Sequence, residues 1–268
     1  MYLINNKYTI LEKIGSGSFG SIYKGENIRT KECVAIKVEP IINNTKLLKN
    51  ESTIYQYLGS KQGIPLVKWF GKDDYNYYMV INLLGKSLEQ LKIEKEKLSL
   101  KLTLQIGIQI LFLLNTIHEK GLVHRDIKPE NFLLGLNSLN KQIYIIDFGF
   151  CKSYLNNGQH IKFGRIHNLI GSNNYASINS HKLCELSRRD DLESLGYMLL
   201  YFYMGYLKWN NIIDNSEIIL LKESVDTDND YPEILVNYMK NIRSLEFDDT
   251  PNYSTIIDKF KREIDILV

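Results

Sequence analysis

The polar run from His124 to Asn131, written HRDIKPEN, constrains this chain more than any other part of its sequence. An apolar run, FLLG, follows it directly, and a second, IYIIDF, carries the start of an Asp-Phe-Gly turn at 147–149. Short apolar runs bounded by turn residues are typical of buried strands. The pattern therefore predicts two short strands that hold two polar turns. A chance set of turn-capping residues would need all of these residue types to occur in this order.

The residue types in the two turns fit phosphoryl transfer. This reaction needs a divalent metal ion that bridges phosphate oxygens, and Asn131 and Asp147 supply oxygen ligands without excess charge. Asp126 would accept the proton of the attacking hydroxyl or orient it, and Lys128 would neutralise charge on the transferred group. We therefore predict Asp126 and Lys128 as catalytic residues. Asn131 and Asp147 are predicted to bind Mg²⁺, for which Mn²⁺ can substitute.

A glycine-rich run near the N-terminus predicts a phosphate-binding flap. It consists of Gly15, Ser16, Gly17, Ser18, Phe19 and Gly20. Taken alone it is a weak signal, because a glycine-rich hairpin without function looks similar. A dinucleotide-binding fold would need a helix after the glycines, whereas the strand-like SIYKG follows here. Glycines let backbone N–H groups approach phosphate oxygens, so a flap over ATP fits best.

Lys37 and Glu51 complete the predicted nucleotide site. Lys37 ends the strand-like VAIK, and Glu51 lies on the next predicted helix. A carboxylate there can hold the lysine ammonium over the α- and β-phosphates. For each residue taken alone, an ordinary surface position is the alternative.

Composition places the chain among globular proteins. Its 268 residues are 44% hydrophobic and 24% charged, which is ordinary for a soluble protein and long enough for two lobes that share a cleft. Lysine and arginine number 33 against 31 acidic residues, a net charge of +2. We therefore expect no direct nucleic-acid binding.

Cysteine usage and the lack of targeting patterns predict an intracellular protein. Cys33, Cys151 and Cys184 are odd in number and lack metal-type spacing. The N-terminus has no secretory signal pattern. The most apolar runs, 106–114 and 197–204, are shorter than the roughly 20 residues that span a bilayer. We expect a cytoplasmic and/or nuclear protein without a membrane span.

Periodicity predicts an α+β fold with a strand-rich part followed by a helical part. Strands are predicted at 8–14, 21–25 and 34–39, with two more within 64–84. Helices are predicted at 47–58, 88–91 and 102–120, with a helical remainder from about Asp190 that turns at 210–216 and 226–232. We interpret 1–268 as a single domain with a small β-rich N-lobe and hinge at 1–84 and a larger helical C-lobe at 85–268. The chemistry is expected in the cleft between the lobes.

Over essentially its whole length the chain resembles the eukaryotic protein kinase superfamily, and several segments resemble the casein kinase 1 family. These segments are IGSGSFGSIYKG, ESTIYQYLG, GIPLVKWFG, NLLGKSLEQL, HRDIKPENFLLGL, IYIIDFG, NYASINSH, SRRDDLESLGY and RSLEFDDTPNYS. The resemblance implies a bilobal protein-kinase fold and Mg²⁺/ATP-dependent phosphorylation of serine or threonine. It also implies protein substrates with acidic or already phosphorylated residues upstream of the target. We expect a monomer.

The resemblance also implies an adenine pocket. Its residues would be Ile14, Ile22, Ala35, Leu133 and Ile146 around the base, Ile81 as gatekeeper, and the backbone of Asn82 to Leu84 along its edge. Ile81 replaces the family's methionine and Asn82 its glutamate, so ATP binding should survive while inhibitor fit changes. Each aliphatic residue taken singly would be a core residue.

The stretch IGSNNYASIN, 170–179, lacks the Ala-Pro-Glu that usually ends a kinase activation segment. The casein kinase 1 family ends it in Ser-Ile-Asn, as here. The resemblance implies that the Ser172 hydroxyl can bridge to Asp126 and Lys128. It also implies that Asp191 caps the backbone of the HRD turn, although a simple helix N-cap is the alternative.

Two further expectations concern regulation. Between 148 and 171 only Ser153 and Tyr154 carry hydroxyls, so we expect an enzyme that is active as synthesised. The sequence shows no tail after its last predicted helix, so we expect no autoinhibition by a tail.

The family's basic cluster, which binds an upstream phosphate or acidic side chain, is altered here. Arg125 and Lys152 keep their positions, but His167 replaces a lysine and Asn174 an arginine. The loop after Trp209 is shortened and acidic at its end. We expect weaker phosphate priming, and stronger priming below the reference histidine pKa of about 6.5 if His167 contributes. An exposed histidine without a ligand is the alternative.

Two other functions compete with that of an active protein kinase. A pseudokinase that serves as a binding or scaffold module is disfavoured by the complete catalytic set. A small-molecule kinase on the same fold is disfavoured by Ser172 and its surroundings, although fold likeness alone does not exclude it.

Overall fold

The structure is a computed structural model that describes residues 3–17, 20–41 and 47–267. Within these ranges the strands are β1 (Leu3–Ile4), β2 (Tyr8–Gly17), β3 (Gly20–Asn27), β4 (Cys33–Pro40), β5 (Val67–Lys72), β6 (Asn76–Asn82), β7 (Leu122–Val123), β8 (Phe132–Leu134), β9 (Ile143–Ile145), β10 (Lys152–Ser153), β11 (Leu155–Asn156) and β12 (Gln159–His160). The helices are α1 (Leu47–Leu58), α2 (Leu88–Lys95), α3 (Leu100–Glu119), α4 (Ile178–His181), α5 (Arg188–Met204), α6 (Asn215–Ser224), α7 (Glu233–Arg243) and α8 (Tyr253–Ile266).

The chain forms two compact units. The first runs up to Lys86 and includes Leu133–Gly149, whereas the second contains Ser87–Phe132 and the chain from Phe150 onward. The segment that carries β9 and the Asp-Phe-Gly turn therefore packs with the strand-rich unit.

The first unit is built on an antiparallel sheet with the strand order β1-β2-β3-β4-β6-β5. Alternation along each strand gives the sheet two distinct faces. One face buries a core cluster of Ile4, Tyr8, Val34, Ile36, Tyr78 and Val80. Helix α1 buries Leu48, Glu51, Ser52, Tyr55 and Leu58. Their spacing of three or four residues is that of one helix face.

The second unit is mostly helical. Helix α3 packs against α5 and α8, and α5 also packs against α7. Nearly every residue of α5 is buried, which explains why its sequence lacks a polar face. Two short antiparallel pairings complete the unit, β7 with β10 and β11 with β12.

By length and composition, α3 is the single helix in the described ranges that is apolar enough to cross a membrane. The helix has 20 residues. Its most apolar 18-residue window has a mean hydropathy of 1.5, and half of that window is buried. The helix is longer than the apolar run 106–114 on which the sequence-based expectation rested. Because a core helix passes the same test, the absence of a membrane span stays a prediction.

The predicted α+β class is confirmed, with one main helix beside the sheet and a helical remainder. One local interpretation is incomplete, because residues 152–160 form short strands that were not predicted. The stretch after Trp209 includes helix α6, in agreement with the helical remainder predicted between the turns at 210–216 and 226–232. The Asp214 side chain accepts hydrogen bonds from the backbone of Ser216 and Glu217 and caps the first turn of this helix.

Candidate active site

Lys37, Glu51 and Asp147 form an ionic cluster in the first unit. Lys37 Nζ lies 2.7 Å from Glu51 Oε2 and 3.2 Å from Asp147 Oδ1. The lysine comes from β4, Glu51 from the buried face of α1, and Asp147 follows β9. The Tyr55 hydroxyl accepts a hydrogen bond from the Asp147 backbone N–H, and the Tyr55 ring packs edge-on against buried Phe148. The predicted Lys37–Glu51 pair is therefore formed.

Burial and charge act in opposition within this cluster. Burial tends to lower the pKa of Lys37, but the charges of Glu51 and Asp147 outweigh it and raise that pKa above its ordinary value. Burial raises the pKa of Glu51, although the Lys37 cation partly offsets this. Lys37 therefore stays protonated at neutral pH, and the buried carboxylate depends on it.

The glycine-rich run lies in the hairpin of β2 and β3, where Gly17 pairs with Gly20. A Cβ on Gly20 would lie 2.0 Å from the Val38 carbonyl oxygen, so this position accepts only glycine. A Cβ on Gly15 would meet its nearest atoms at 3.9 Å, so packing does not require glycine there. Ser16 is exposed on β2. Ser18 and Phe19 lie outside the described residues.

Strand register brings several predicted adenine-pocket residues to one sheet face. Ile22 lies opposite Lys37, and Ala35 lies opposite Ile81. Since Ala35 and Lys37 are two residues apart on β4, these side chains share the face that does not bear the core cluster. The other predicted pocket residues in this unit are Ile14, which is exposed, and Leu84, Leu133 and Ile146, which are half-buried.

Asn82 uses its side chain structurally. Its Oδ1 accepts a hydrogen bond of 2.9 Å from the Leu66 backbone N–H. This hydrogen bond connects the end of β6 to the segment before β5.

In the second unit, Asp126 is held by two neighbours. Its Oδ2 accepts hydrogen bonds from Lys128 Nζ at 2.7 Å and Asn131 Nδ2 at 3.2 Å. The Asn131 amide also donates to the Asp126 carbonyl oxygen at 2.8 Å. These bonds orient the Asn131 amide so that its Oδ1 faces away from Asp126. That oxygen is then available as a metal ligand.

Asp191 caps the HRD turn, as predicted. Its Oδ2 accepts hydrogen bonds of 2.8 Å from the His124 backbone N–H and from His118 Nε2, and its Oδ1 accepts one of 2.8 Å from the Arg125 N–H. Burial opposes ionisation of Asp191, but the hydrogen bond and charge of His118 outweigh it and lower the pKa below its ordinary value. Arg125 has a φ of +69°, so the cap holds a strained turn next to Asp126.

The Ser-Ile-Asn end of the activation segment is hydrogen-bonded to α5. Ser177 Oγ and Asn179 Nδ2 donate to Asp190 Oδ1 at 2.7 and 3.0 Å. Asp190 Oδ2 accepts from the Ser187 N–H at 2.8 Å. Burial raises the pKa of Asp190 to about 6, although these hydrogen bonds oppose the rise. Polar hydrogen bonds to one carboxylate thus fix the segment.

Ser172 lies close to the catalytic loop without a hydrogen bond to it. A Cβ on the preceding Gly171 would lie 2.9 Å from the Arg125 carbonyl oxygen and 3.9 Å from Asp126 Oδ1, and Gly171 has a φ of +92°. Among the residues that the structure describes, the Ser172 hydroxyl bonds neither Asp126 nor Lys128. The predicted bridge therefore stays a prediction.

The predicted anion-binding cluster is brought together in part. Arg125 and Lys152 both approach Glu185, which the sequence did not single out, at 4.0 Å and 2.8 Å. His167 is exposed, and no hydrogen bond or ion pair joins it to these three residues. Asn174 donates a hydrogen bond to Asn210 Oδ1. The Asn174 side chain is thus hydrogen-bonded to the segment after Trp209.

Sequence reasoning also missed Lys222. This buried lysine on α6 donates to the backbone carbonyls of Asn173 and Ala176 at 2.9 and 2.7 Å and contacts His181 Nε2 at 2.9 Å. Burial lowers the pKa of Lys222 to about 7. No pattern around it in the sequence distinguishes it from a surface lysine, because its partners lie on another part of the chain.

Each unit thus carries a charged cluster of the kind found in nucleotide-dependent phosphotransferases. A comparison with protein-family models makes the class specific, since residues 8–253 match the model described as the protein kinase domain. The chain belongs to the protein kinase family, and its α+β architecture is the bilobal fold of that family. Kinase activity, ATP and a divalent metal ion follow from this membership.

The donor atoms present fit such a metal ion. In the described ranges no group of three or more His, Cys, Asp or Glu side chains forms a metal cage. Magnesium in kinases is held by only one or two protein oxygens together with substrate phosphates. The oriented amide of Asn131 and the carboxylate of Asp147 are oxygen donors of this kind.

Proposed function

We propose that this protein kinase is a serine/threonine kinase of the casein kinase 1 type. It transfers the γ-phosphate of ATP to serine or threonine in protein substrates with acidic or phosphorylated residues upstream of the target. The observation that carries the proposal is the short contact between Lys128 Nζ and Asp126 Oδ2, 2.7 Å, beside the Asn131 amide. The lysine cation stands where charge develops on the transferred phosphoryl group.

Asp126 orients the substrate hydroxyl and receives its proton, while Lys128 stabilises the phosphoryl oxygens. Lys37, held by Glu51, pairs with the α- and β-phosphates of ATP. Asn131 and Asp147 would hold Mg²⁺, which neutralises charge on the phosphates when it is bound. The glycine-rich hairpin supplies backbone N–H groups to the phosphates.

The activation segment supports the casein kinase 1 type. It ends in Ser177, Ile178 and Asn179, two of which bond Asp190 on α5. The two hydroxyls available before Gly171 are engaged: Ser153 Oγ donates to the Leu155 carbonyl, and the buried Tyr154 hydroxyl donates to the His118 carbonyl. These contacts favour an enzyme that is active as synthesised.

Weak phosphate priming belongs to the same proposal. The Glu185 carboxylate already neutralises part of the Arg125 and Lys152 charge, Asn174 is uncharged, and His167 stands apart from the pair. We further propose a monomeric protein of the cytoplasm and/or nucleus that acts on protein substrates rather than nucleic acid.

Catalysis is tested by Asp126→Asn. We expect ATP-dependent phosphorylation of casein to fall by about 10²- to 10⁴-fold, because the proton acceptor is lost while the fold is kept. Asp258→Asn is the matched control, since Asp258 lies in an exposed ion pair on α8. Phosphoamino-acid analysis should show phosphoserine or phosphothreonine. A pseudokinase would show no difference between wild type and Asp126→Asn.

Priming is tested with peptides that differ only by phosphate on an upstream serine, assayed at pH 6 and pH 8. We expect a modest preference for the primed peptide that increases at pH 6. A large preference that is equal at both pH values would contradict this part of the proposal.

A further inference from the structure

Glu185 occupies the space between two cations of the second unit. Its Oε2 lies 2.8 Å from Lys152 Nζ, and its Oε1 lies 4.0 Å from Arg125 Nη1. The side chains of Glu185 and Arg125 are only 13% and 14% exposed, while that of Lys152 is 41% exposed. The contact between glutamate and arginine is therefore largely removed from water. Charge interactions are stronger in such an environment of low dielectric constant than they are in water.

The three residues connect three segments that surround the catalytic loop. Arg125 immediately precedes Asp126, and its Nε donates to the Phe150 carbonyl at 2.7 Å. Lys152 lies on β10, which pairs with β7 directly before the HRD turn. Glu185 follows α4, and its backbone N–H donates to the Gly164 carbonyl. One carboxylate thus links the catalytic loop to both ends of the activation segment.

The charge balance depends on this carboxylate. Burial tends to lower the pKa of Arg125, and the Glu185 and Asp191 charges oppose that effect. Asp191 faces the backbone N–H of Arg125, so Glu185 is the carboxylate that approaches its guanidinium. Without it, two cations would face each other in a half-buried site with no anion between them.

In many kinases an arginine beside the catalytic aspartate pairs with a phosphate that is added to the activation segment, and this pairing orders the segment. We propose that Glu185 is a built-in anion that takes the place of such a phosphate. It is a positioning residue that holds Arg125 and Lys152, and through them the catalytic loop, in the active arrangement. This inference rests on the proposed kinase function and gives a physical reason for activity without activating phosphorylation.

The test is chemical rescue of Glu185→Ala. We expect kcat for casein to fall by roughly tenfold to a hundredfold, with the KM for ATP little changed, because the catalytic loop is displaced. The substitution leaves a cavity between two cations, so added sulfate should restore much of the lost kcat. Sodium chloride at matched ionic strength should not. A merely structural role would not respond to a specific anion in this way.

Glu223→Ala is the matched control. It also removes a glutamate that is paired with a lysine, since Glu223 Oε1 lies 2.9 Å from Lys182 Nζ, but both side chains are 47% exposed. We expect wild-type kcat and no response to sulfate. Glu185→Gln, which keeps the side-chain shape, covers the case in which the alanine variant does not fold. It should show a smaller loss with the same sulfate response.

Two results would overturn the inference. One is a Glu185 variant with wild-type kcat, and the other is a folded variant whose lost kcat does not respond to sulfate. A thermal-shift measurement without ATP separates this question from the kinase function. Sulfate should stabilise Glu185→Ala more than wild type even if the wild-type protein phosphorylates no substrate tested.

Discussion

The Lys37 cluster of the first unit and the neighbouring carboxylates Asp190 and Asp191 of the second unit both bury charge, but they stabilise it differently. Lys37 is bonded to two carboxylates within 3.2 Å, so opposite charges stabilise one another. Within the part of the chain that the structure describes, neither Asp190 nor Asp191 forms an ion pair with a lysine or arginine. They accept hydrogen bonds from backbone N–H groups, hydroxyl and amide groups, and the His118 ring.

The two carboxylates differ from each other as well. The pKa of Asp191 is lowered, whereas burial raises that of Asp190 to about 6. Asp191 stabilises the folded state most when it is ionised, whereas Asp190 stabilises the folded state most when it is protonated. Each of the two carboxylates accepts three hydrogen bonds, so the difference between them comes from neighbouring charges: His118 helps to lower the pKa of Asp191, and Glu193 helps to raise that of Asp190. The Lys37 cluster depends on a cation bonded directly to its carboxylates, whereas the carboxylate pair depends on its hydrogen-bond donors and on the charges beside them.

The largest expected effect is in the first unit. Lys37→Met leaves Glu51 and Asp147 without their cation, so we expect unfolding free energy to fall by about 3–5 kcal/mol at neutral pH. Since the Glu51 pKa is already raised by burial, loss of Lys37 raises it further. A raised folded-state pKa means that stability is lost as pH rises through it. The deficit measured by urea unfolding should therefore be larger at pH 8 than at pH 5, just above the ordinary glutamate pKa of 4.5.

Lys24→Met is the control for this substitution. Lys24 pairs with Glu12 at 3.3 Å, but their side chains are 35% and 64% exposed. We expect a loss below about 1 kcal/mol that does not depend on pH over this range. Equal losses in the two lysine variants would show that burial does not strengthen the charge pairing of the Lys37 cluster.

A smaller effect is expected for Asp191→Asn. The amide keeps one acceptor oxygen, so at least one of the donors from His118, His124 and Arg125 would face an NH₂ group. We expect a loss of about 2–3 kcal/mol at pH 7, because a buried donor is left unsatisfied. Urea unfolding should show it, and kcat should fall because the turn before Asp126 is no longer fixed.

The pH dependence of this variant sharpens the comparison. Stability from ionised Asp191 is present above its ordinary pKa of 3.8 and is lost as pH falls through the lowered value. The deficit should therefore be constant between pH 5 and pH 8. A deficit that changes between those values, as expected for Lys37→Met, would show that both regions depend on charge pairing.

The sequence predicted those parts of the site whose residues lie in short motifs or in regular strand and helix patterns. Lys37 and Glu51 could be paired because a strand end and a buried helix position mark them, and the role of Asp191 followed from the resemblance to a known family. Glu185 and Lys222 could not be found this way, since each acts on residues far away in the chain. No local period records which segments pack together. His167, which the resemblance placed near Arg125, does not join the cluster.

Ser177→Ala is expected to have the smallest effect. It tests how the loss of one hydrogen-bond donor to Asp190 changes the unfolding free energy. The substitution removes a hydroxyl that donates to Asp190 Oδ1 at 2.7 Å. Hydrogen bonds to a charged acceptor contribute more than those to a neutral one, so we expect a loss of about 1–2 kcal/mol at pH 7.5 and about half of that at pH 4.5.

The sign follows from the raised pKa. Below about 6 Asp190 is mostly protonated, and its contribution to stability is lost as pH rises through that value. Losing a donor that favours the ionised form should raise the Asp190 pKa further, which carbon-13 NMR of the carboxyl group measures directly. Ser224→Ala is the control, because Ser224 Oγ donates to a backbone carbonyl on an exposed helix end. An Asp190 that titrates near 3.8 in the wild type, or a Ser177→Ala loss that is the same at both pH values, would contradict the idea that this carboxylate is held by donors against the effect of burial.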